Sequence, residues 1–373
     1  MRKEQENVKQ ENAKIDMFRM AAAFFIVAIH TAPFASVNET LDYLFTYCIG
    51  RIGVPFFLMV TGYFVLAPYY QGSAFSVEKL KKYLRKILLL YGISILLYLP
   101  VNIYAGQLPE SVGELGRELI FDGTFYHLWY LPAVVTGCLF LIILMKLFGN
   151  KGAGIAAVLL YLIGMFGDSY YGAIREIPVI KGFYEGVFQI SSYTRNGIFY
   201  VPVFLWMGIQ FAGKEKTYAG NPAKKQERIA GIALGISAVL MLTEGWLTWH
   251  NGLQRHNSMY LFLLPVMYFL FQRLLWSNPS QQRSILQKKK STGKQRGYRK
   301  LRDISLWIYM IHPLCIIVVR GLAKVTRIKL LAEHSLILYL LVCILAAAGA
   351  VVISWMQEKG KGMVSCIRRA EHG

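Results

Sequence analysis

Apolar stretches of spanning length recur along the chain, at about 15–35, 42–67, 84–104, 126–148, 152–170, 196–212, 229–249, 258–276, 303–322 and 335–357. About 20 such residues in helical form cross the roughly 30 Å hydrocarbon core of a bilayer. Only helices or closed barrels satisfy their backbone groups there. The pattern therefore predicts an all-α, polytopic helix bundle with about ten transmembrane helices. The first stretch, KIDMFRMAAAFFIVAIHTAPFA (Lys14 to Ala35), breaks its own apolar rule with Asp16, Arg19 and His30. At ~100° per residue the eleven steps from Arg19 to His30 return to within ~20° of one direction, with Asp16 ~40° away. A helix here carries all three on one face, with about 16 Å of rise between Arg19 and His30. Ionisable groups in a span need a polar partner or a cavity, at a cost of at least ~2.5 kcal/mol each near the centre. The stripe is thus a site, or else a helix-end ion pair plus a histidine hydrogen-bonded within the bundle.

The basic segments set the orientation. Placing the N-terminus in the cytoplasm puts Lys79 to Lys86, Lys146 and Lys151, Lys214 to Arg228, Arg273 to Arg302, and Arg368 and Arg369 on the same side. This agrees with the excess of Lys and Arg in cytoplasmic loops, and both termini are expected in the cytoplasm. The domain reading follows: a polar cytoplasmic tail at 1–14, a membrane domain at 15–357 with a basic cytoplasmic loop at 277–302, and a cytoplasmic tail at 358–373. The N-terminal stretch shows no small-x-small cleavage pattern, so the first helix is read as an uncleaved anchor. No soluble domain is expected in the chain.

Composition agrees with this picture. The 373 residues are 55% hydrophobic and 14% aromatic, with a mean hydropathy of +0.40. A net charge of +20 suggests nucleic acid in a soluble protein, but here the cations lie between apolar spans, where they face anionic lipid. No nucleic-acid motif accompanies them, and nucleic acid is rejected as a partner. Cys48, Cys138, Cys315, Cys343 and Cys366 show no CxxC spacing, and four of them lie in apolar segments. Neither disulfides nor a metal site are expected.

His30 is the leading general-base candidate, because neutral imidazole accepts a hydroxyl proton near physiological pH. Asp16 is too far along the helix to orient it, so the orienting group must come from another helix. The block EKLKKYLRK places Lys82 and Arg85 at i and i+3, suited to the phosphates of an anionic cofactor or simply to the cytoplasmic flank of a span. Arg51, in GRIGVPFFLMVTGYF, must pair or line a cavity, and the glycines and proline around it suggest a kinked or closely packed helix. Ser305, Tyr309 and His312 share a face of the ninth span, where Pro313 frees a backbone carbonyl beside His312. His127 in FYHLWYLP is a substrate contact or part of an aromatic belt. Glu244 and Arg195, near the outer ends of their spans, either contact an extracytoplasmic substrate or are solvated.

These residues together resemble a known family. Arg19, ten intervening residues and His30 are similar to the arginine/lysine-x10-histidine signature of the acyltransferase-3 family of membrane proteins. VPFFLMVTGYF, FYHLWYLP and SLWIYMIHP resemble its later blocks. AIHTAPFAS, GMFGDSYYG, SYTRNGIFY and QRHNSMYLFLLP resemble one branch of it, the membrane half of the vancomycin-resistance serine racemases. In that branch a pyridoxal-phosphate racemase domain follows the last span. This chain is expected to carry neither that domain nor its cofactor.

The resemblance implies a multi-pass protein of the bacterial inner membrane that moves an acyl group, commonly acetyl. The donor is a cytoplasmic acyl-coenzyme A and the acceptor a hydroxyl on an extracytoplasmic glycan, cell-wall precursor or other small molecule. It makes His30 the base, Arg19 a neighbour of the acyl carrier, and Lys82 and Arg85 the cofactor contacts; Asp16, on the same helix face, is counted with the catalytic group. Read from the residues themselves, Arg51, His127, Arg195, Glu244, Tyr309 and His312 are the candidates for substrate contact. Two departures stand out. Lys82 fills the first place of an arginine-x-x-arginine pair and lacks the bidentate fork, and Trp307 stands where tyrosine is common. The alternative is a transport module for a small amino acid such as L-serine, using the same polar stripe without a covalent step.

Overall fold

The structure, a computed structural model, describes residues 13–70, 72, 74–214, 224–276, 292–328, 330 and 333–370. All its regular structure among these residues is helical. In chain order the principal helices are α1 (Ala13–Thr31), α2 (Glu39–Tyr70), α3 (Ala74–Ala105), α4 (Val112–Arg117) and α5 (Tyr130–Phe166). They continue with α6 (Pro178–Ile190), α7 (Val201–Gly213), α8 (Lys224–His250), α9 (Leu263–Leu275), α10 (Thr292–Thr326) and α11 (Ser335–Ala370).

Among the described residues, six helices are long and apolar enough to cross a membrane, and α7 and α9 are shorter apolar helices. The chain is therefore a multi-pass membrane protein. Two sequence-predicted spans, 126–148 and 152–170, form the single run α5. Its helical geometry breaks at Gly149, at φ 65° and ψ −178°, a conformation open to glycine because it lacks a Cβ.

Three apolar segments are less helical than their composition suggests. Residues 124–129, 191–200 and 251–262 are turns and irregular backbone, so the helices there begin only at Tyr130, Val201 and Leu263. Apolar content reports burial, and Leu128, Tyr200 and Tyr260 in these segments are buried without being wound. The interval 171–195 between two sequence-predicted spans contains α6, which leaves Val179, Phe183 and Ile190 exposed. Most of the basic loop 277–302 and the tail 1–14 lie outside the described residues, but α10 already begins at Thr292.

By packing, the chain divides into two units: residues 1–42, 218–224 and 273–373, and residues 43–217 and 225–272. In the first, α1, α10 and α11 share a core of Ala23, Val27, Ile308, Val342, Ala346 and Ala350. Small residues at such contacts let helices approach where lipid removes the hydrophobic driving force. α11 runs antiparallel to both partners: Ser335 at its start bonds the turn after α1 at Ser36 (2.9 Å), while Glu358 near its end pairs with Lys300 (3.2 Å).

In the second unit α2 and α7 cross at van der Waals contact of their backbones. A Cβ added at Gly62 would collide with the Leu205 carbonyl, and one at Gly208 with the Met59 carbonyl. α2 is irregularly wound, with π-helix at Tyr43–Cys48, 3-10 helix at Ile49–Ile52 and π-helix again at Gly62–Leu66. Such windings inside a helix recur at functional sites and re-aim the side chains they carry. α3 exposes Leu88, Leu89, Ile93 and Leu96, an apolar surface suited to lipid.

Candidate functional site

The polar stripe of α1 meets α10 along its whole length. Asp16, 3% exposed, forms ion pairs with Arg19 on its own helix (Nε at 3.2 Å) and with Arg302 of α10 (Nε at 3.3 Å). Fourteen residues further on, the His30 ring stacks on His312, with centroids 5.2 Å apart and planes at 24°. Asp16 with Arg302 at one end and His30 with His312 at the other make α1 and α10 parallel neighbours. Ala23 and Val27 lie on the same face of α1 between the two polar contacts and pack in the shared core. The expectation of one inward-facing seam holds in this unit, and the group beside His30 comes from α10.

His312 owes its pose to the proline that follows it. Pro313 has no N–H for the carbonyl four residues back, Tyr309. His312 Nδ1 lies 2.8 Å from that oxygen and 3.3 Å from the Ile308 oxygen. A carbonyl only accepts, so Nδ1 is the protonated nitrogen. Ser305 and Tyr309, predicted on the same face, are both buried. The Ser305 hydroxyl donates to the Arg302 carbonyl (3.0 Å), and the Tyr309 ring tilts against His312 at 6.2 Å.

The second unit gathers a different set. Arg51 sits on the 3-10 stretch of α2 and is 9% exposed. Its Nε donates to the Asn257 carbonyl (2.8 Å), and an Nη donates to the Asn257 side chain. Arg195 donates to Ser258 Oγ (3.2 Å) and lies over the rings of Tyr193 (4.2 Å) and Trp129 (5.2 Å). Two arginines from distant parts of the sequence thus converge on one dipeptide of the segment 251–262.

Two buried carboxylates hold that segment in place. Asp168, wholly buried, accepts the Ser258 N–H at 2.6 Å and the Met259 N–H at 3.1 Å. Glu244 accepts the N–H groups of Leu261 (2.6 Å) and Phe262 (2.9 Å) and the Tyr170 hydroxyl (2.8 Å). Backbone donors aimed at a carboxylate are charge-assisted and among the stronger hydrogen bonds a loop makes. Glu244 is therefore not the solvated group that one sequence alternative allowed. Asp168 was not singled out in the sequence; the acidic residue inside GMFGDSYYG, directly after an apolar run, is the signal that marks it.

The remaining candidates separate from these clusters. His127 precedes α5 instead of lying on it. It is 1% exposed and packs edge-on against Tyr98 at 4.9 Å, which replaces the interfacial aromatic-belt alternative with a buried aromatic nest. Lys82 and Arg85 are exposed on α3, one turn apart near its N-terminal end. The Arg51 and Arg195 cluster lies at the opposite end of that unit, among the loops that follow α3, α5 and α8.

The profile of a family described as an acyltransferase domain matches residues 12–355. Two proteins of Enterococcus faecalis named amino-acid racemase are each 36% identical to the chain. One aligns over 344 residues, 91% of this chain and 44% of the relative. The other aligns over 335 residues, 88% and 44%. A serine/alanine racemase of Enterococcus gallinarum is 35% identical over 338 residues, 90% of this chain and 45% of the relative. The chain spans less than half the length of these relatives, and no solved structure matches it. With its profile match running from α1 into α11, the chain belongs to the acyltransferase-3 family of membrane proteins.

Proposed function

We propose that the chain is a membrane O-acyltransferase, moving an acyl group, acetyl in the simplest case, from a cytoplasmic acyl-coenzyme A to a hydroxyl on an extracytoplasmic acceptor. The observation that carries this reading is the His30–His312 pair at the end of the buried Asp16–Arg19 seam, in a chain of this family.

In the proposed step a nitrogen of His30 takes the acceptor's hydroxyl proton as the oxygen bonds to the thioester carbonyl carbon. The tetrahedral intermediate collapses with cleavage of the carbon–sulfur bond, and the departing thiolate takes the proton back from the imidazolium. The products are an ester and free coenzyme A thiol. General-base assistance of this kind contributes about 10²–10⁴-fold in rate. Asp16, itself held by Arg302, positions Arg19 at the other end of the seam, where its charge faces the acyl carrier. Lys82 and Arg85 take the coenzyme A phosphates. No metal and no pyridoxal phosphate enter this step.

The racemase names of the relatives favour a second reading, a transport module passing a small amino acid such as L-serine. Purified chain in liposomes separates the two. Release of coenzyme A thiol that depends on an added hydroxyl acceptor is the transferase outcome. Uptake of labelled serine without coenzyme A is the transport outcome and overturns the first reading.

A further inference from the structure

We propose that Arg51 and Arg195 form a binding site for a carboxylate group, walled by Asn257, Ser258 and the Trp129 and Tyr193 rings. The inference begins with unequal pairing of buried charge. Asp16 has two guanidinium partners in its unit. No salt bridge pairs Arg51 or Arg195 with a carboxylate among the described residues, although Arg51 is nine-tenths buried. Their bonds go to neutral groups: a backbone carbonyl, an amide side chain and a hydroxyl. Each guanidinium has five N–H donors, so both keep donors to spare, and Arg195 Nε is buried without a hydrogen-bond partner.

Burying a cation without an anion is costly. The chain has a carboxylate at hand in Asp168, whose second oxygen also lacks a hydrogen-bond partner. It directs its first oxygen at the Ser258 and Met259 N–H groups instead, and so shapes the segment that the arginines grip. A site whose own carboxylate gives its bonded oxygen to the wall and forms no salt bridge with either arginine, and whose two forks are left open, is suited to an oxyanion brought by a ligand. The flat Tyr193 and Trp129 faces keep the Arg195 guanidinium in one plane, and a planar carboxylate matches such a fork through paired N–H···O bonds. Arg51 is held for the same purpose by the 3-10 winding of α2 and its two hydrogen bonds to Asn257.

This deepens the transferase reading by giving the acceptor a carboxylate beside its hydroxyl. Binding is measured without any acyl donor, so the two readings fail separately. The full chain in detergent is unfolded thermally across a concentration series of glycolate, the smallest hydroxy-carboxylate. Ethylene glycol serves as the uncharged counterpart and inorganic phosphate as a second oxyanion, all at matched ionic strength. A saturable rise in the midpoint with glycolate, absent with ethylene glycol, is expected. Arg195→Lys keeps the charge and loses the fork, and it should raise the half-saturating concentration about tenfold; Arg51→Gln should abolish saturation. Arg195→Lys alone decides the matter if Arg51→Gln fails to fold. Equal effects of glycolate and ethylene glycol, no saturable effect of glycolate, or an unchanged dependence in Arg195→Lys overturns the proposal. A saturable response to phosphate alone overturns the carboxylate assignment.

Discussion

His30 and His312 come from helices at opposite ends of the sequence, yet their rings stack at 5.2 Å. With Nδ1 of His312 committed to the Tyr309 carbonyl, the pair is a pre-set ring on α10 beside a candidate base on α1. His30→Ala should therefore lower acyl transfer by about 10²–10⁴-fold while coenzyme A affinity stays unchanged. Single-turnover transfer and equilibrium binding, measured on one preparation, check the two halves. A proportional loss of both would make His30 a binding residue.

Asp16 is the anion shared by two guanidinium groups. In Asp16→Asn, Arg19 and Arg302 lose their shared anion, and breaking such a buried ion group costs about 3–5 kcal/mol. A marked fall in thermal midpoint is expected, with partial recovery in the double variant Asp16→Asn/Arg302→Gln, which removes one of the orphaned cations. Midpoints in a single detergent give the comparison.

Lys82 and Arg85 carry a different expectation because they are exposed. Reversal to glutamate at both should weaken coenzyme A binding without lowering the thermal midpoint. Unchanged affinity would remove them from the donor site.

The crossing of α2 and α7 gives a purely steric test. A methyl group at Gly208 meets the Met59 carbonyl, whereas one at Gly235 in α8 meets nothing within 4 Å. Gly208→Ala should cost about 1–3 kcal/mol, the usual range for overpacking, and Gly235→Ala should be neutral or slightly stabilising. Equal midpoints for the two variants would mean that the helices part easily.

His256 supplies a pH dependence. Burial first, and then the charges of Arg195, Arg255 and Arg51, push its imidazole from 6.5 down to about 3. The folded state therefore resists a proton that the unfolded chain accepts. The stability tied to neutral His256 is complete above pH 6.5 and is lost as pH falls toward 3. Compared with His256→Gln, the unaltered chain should lose midpoint faster across that window and match it in pH trend above it.

The first helix was legible from sequence because one rule, the 100° step, governs both its apolar face and its charges. Asp16, Arg19 and His30 fall on the α10 side together with Ala23 and Val27 as that rule requires. Their partners were not legible. Arg302 reads as one more cation at the end of a basic loop, and His312 as one polar residue in an apolar span. Tertiary packing alone chooses them. The 251–262 segment was missed for a different reason: Met259, Tyr260 and Leu261 look like the start of a span, but Asp168 and Glu244 supply acceptors for N–H groups that a helix would otherwise satisfy internally. The winding of α2 around Arg51 leaves no period in the sequence beyond its glycines and proline.

The contact between Ser36 and Ser335 spans 299 positions, and it sets an order of events during synthesis. At roughly 5–20 residues per second, α1 is synthesised some 15–60 s before α10 and α11. Throughout that interval Arg302 and His312 do not yet exist, and the charges of the leading helix have only each other, water and lipid headgroups. The unit that carries the candidate base thus closes only once α10 and α11 have been made, after every residue of the other unit has been added to the chain.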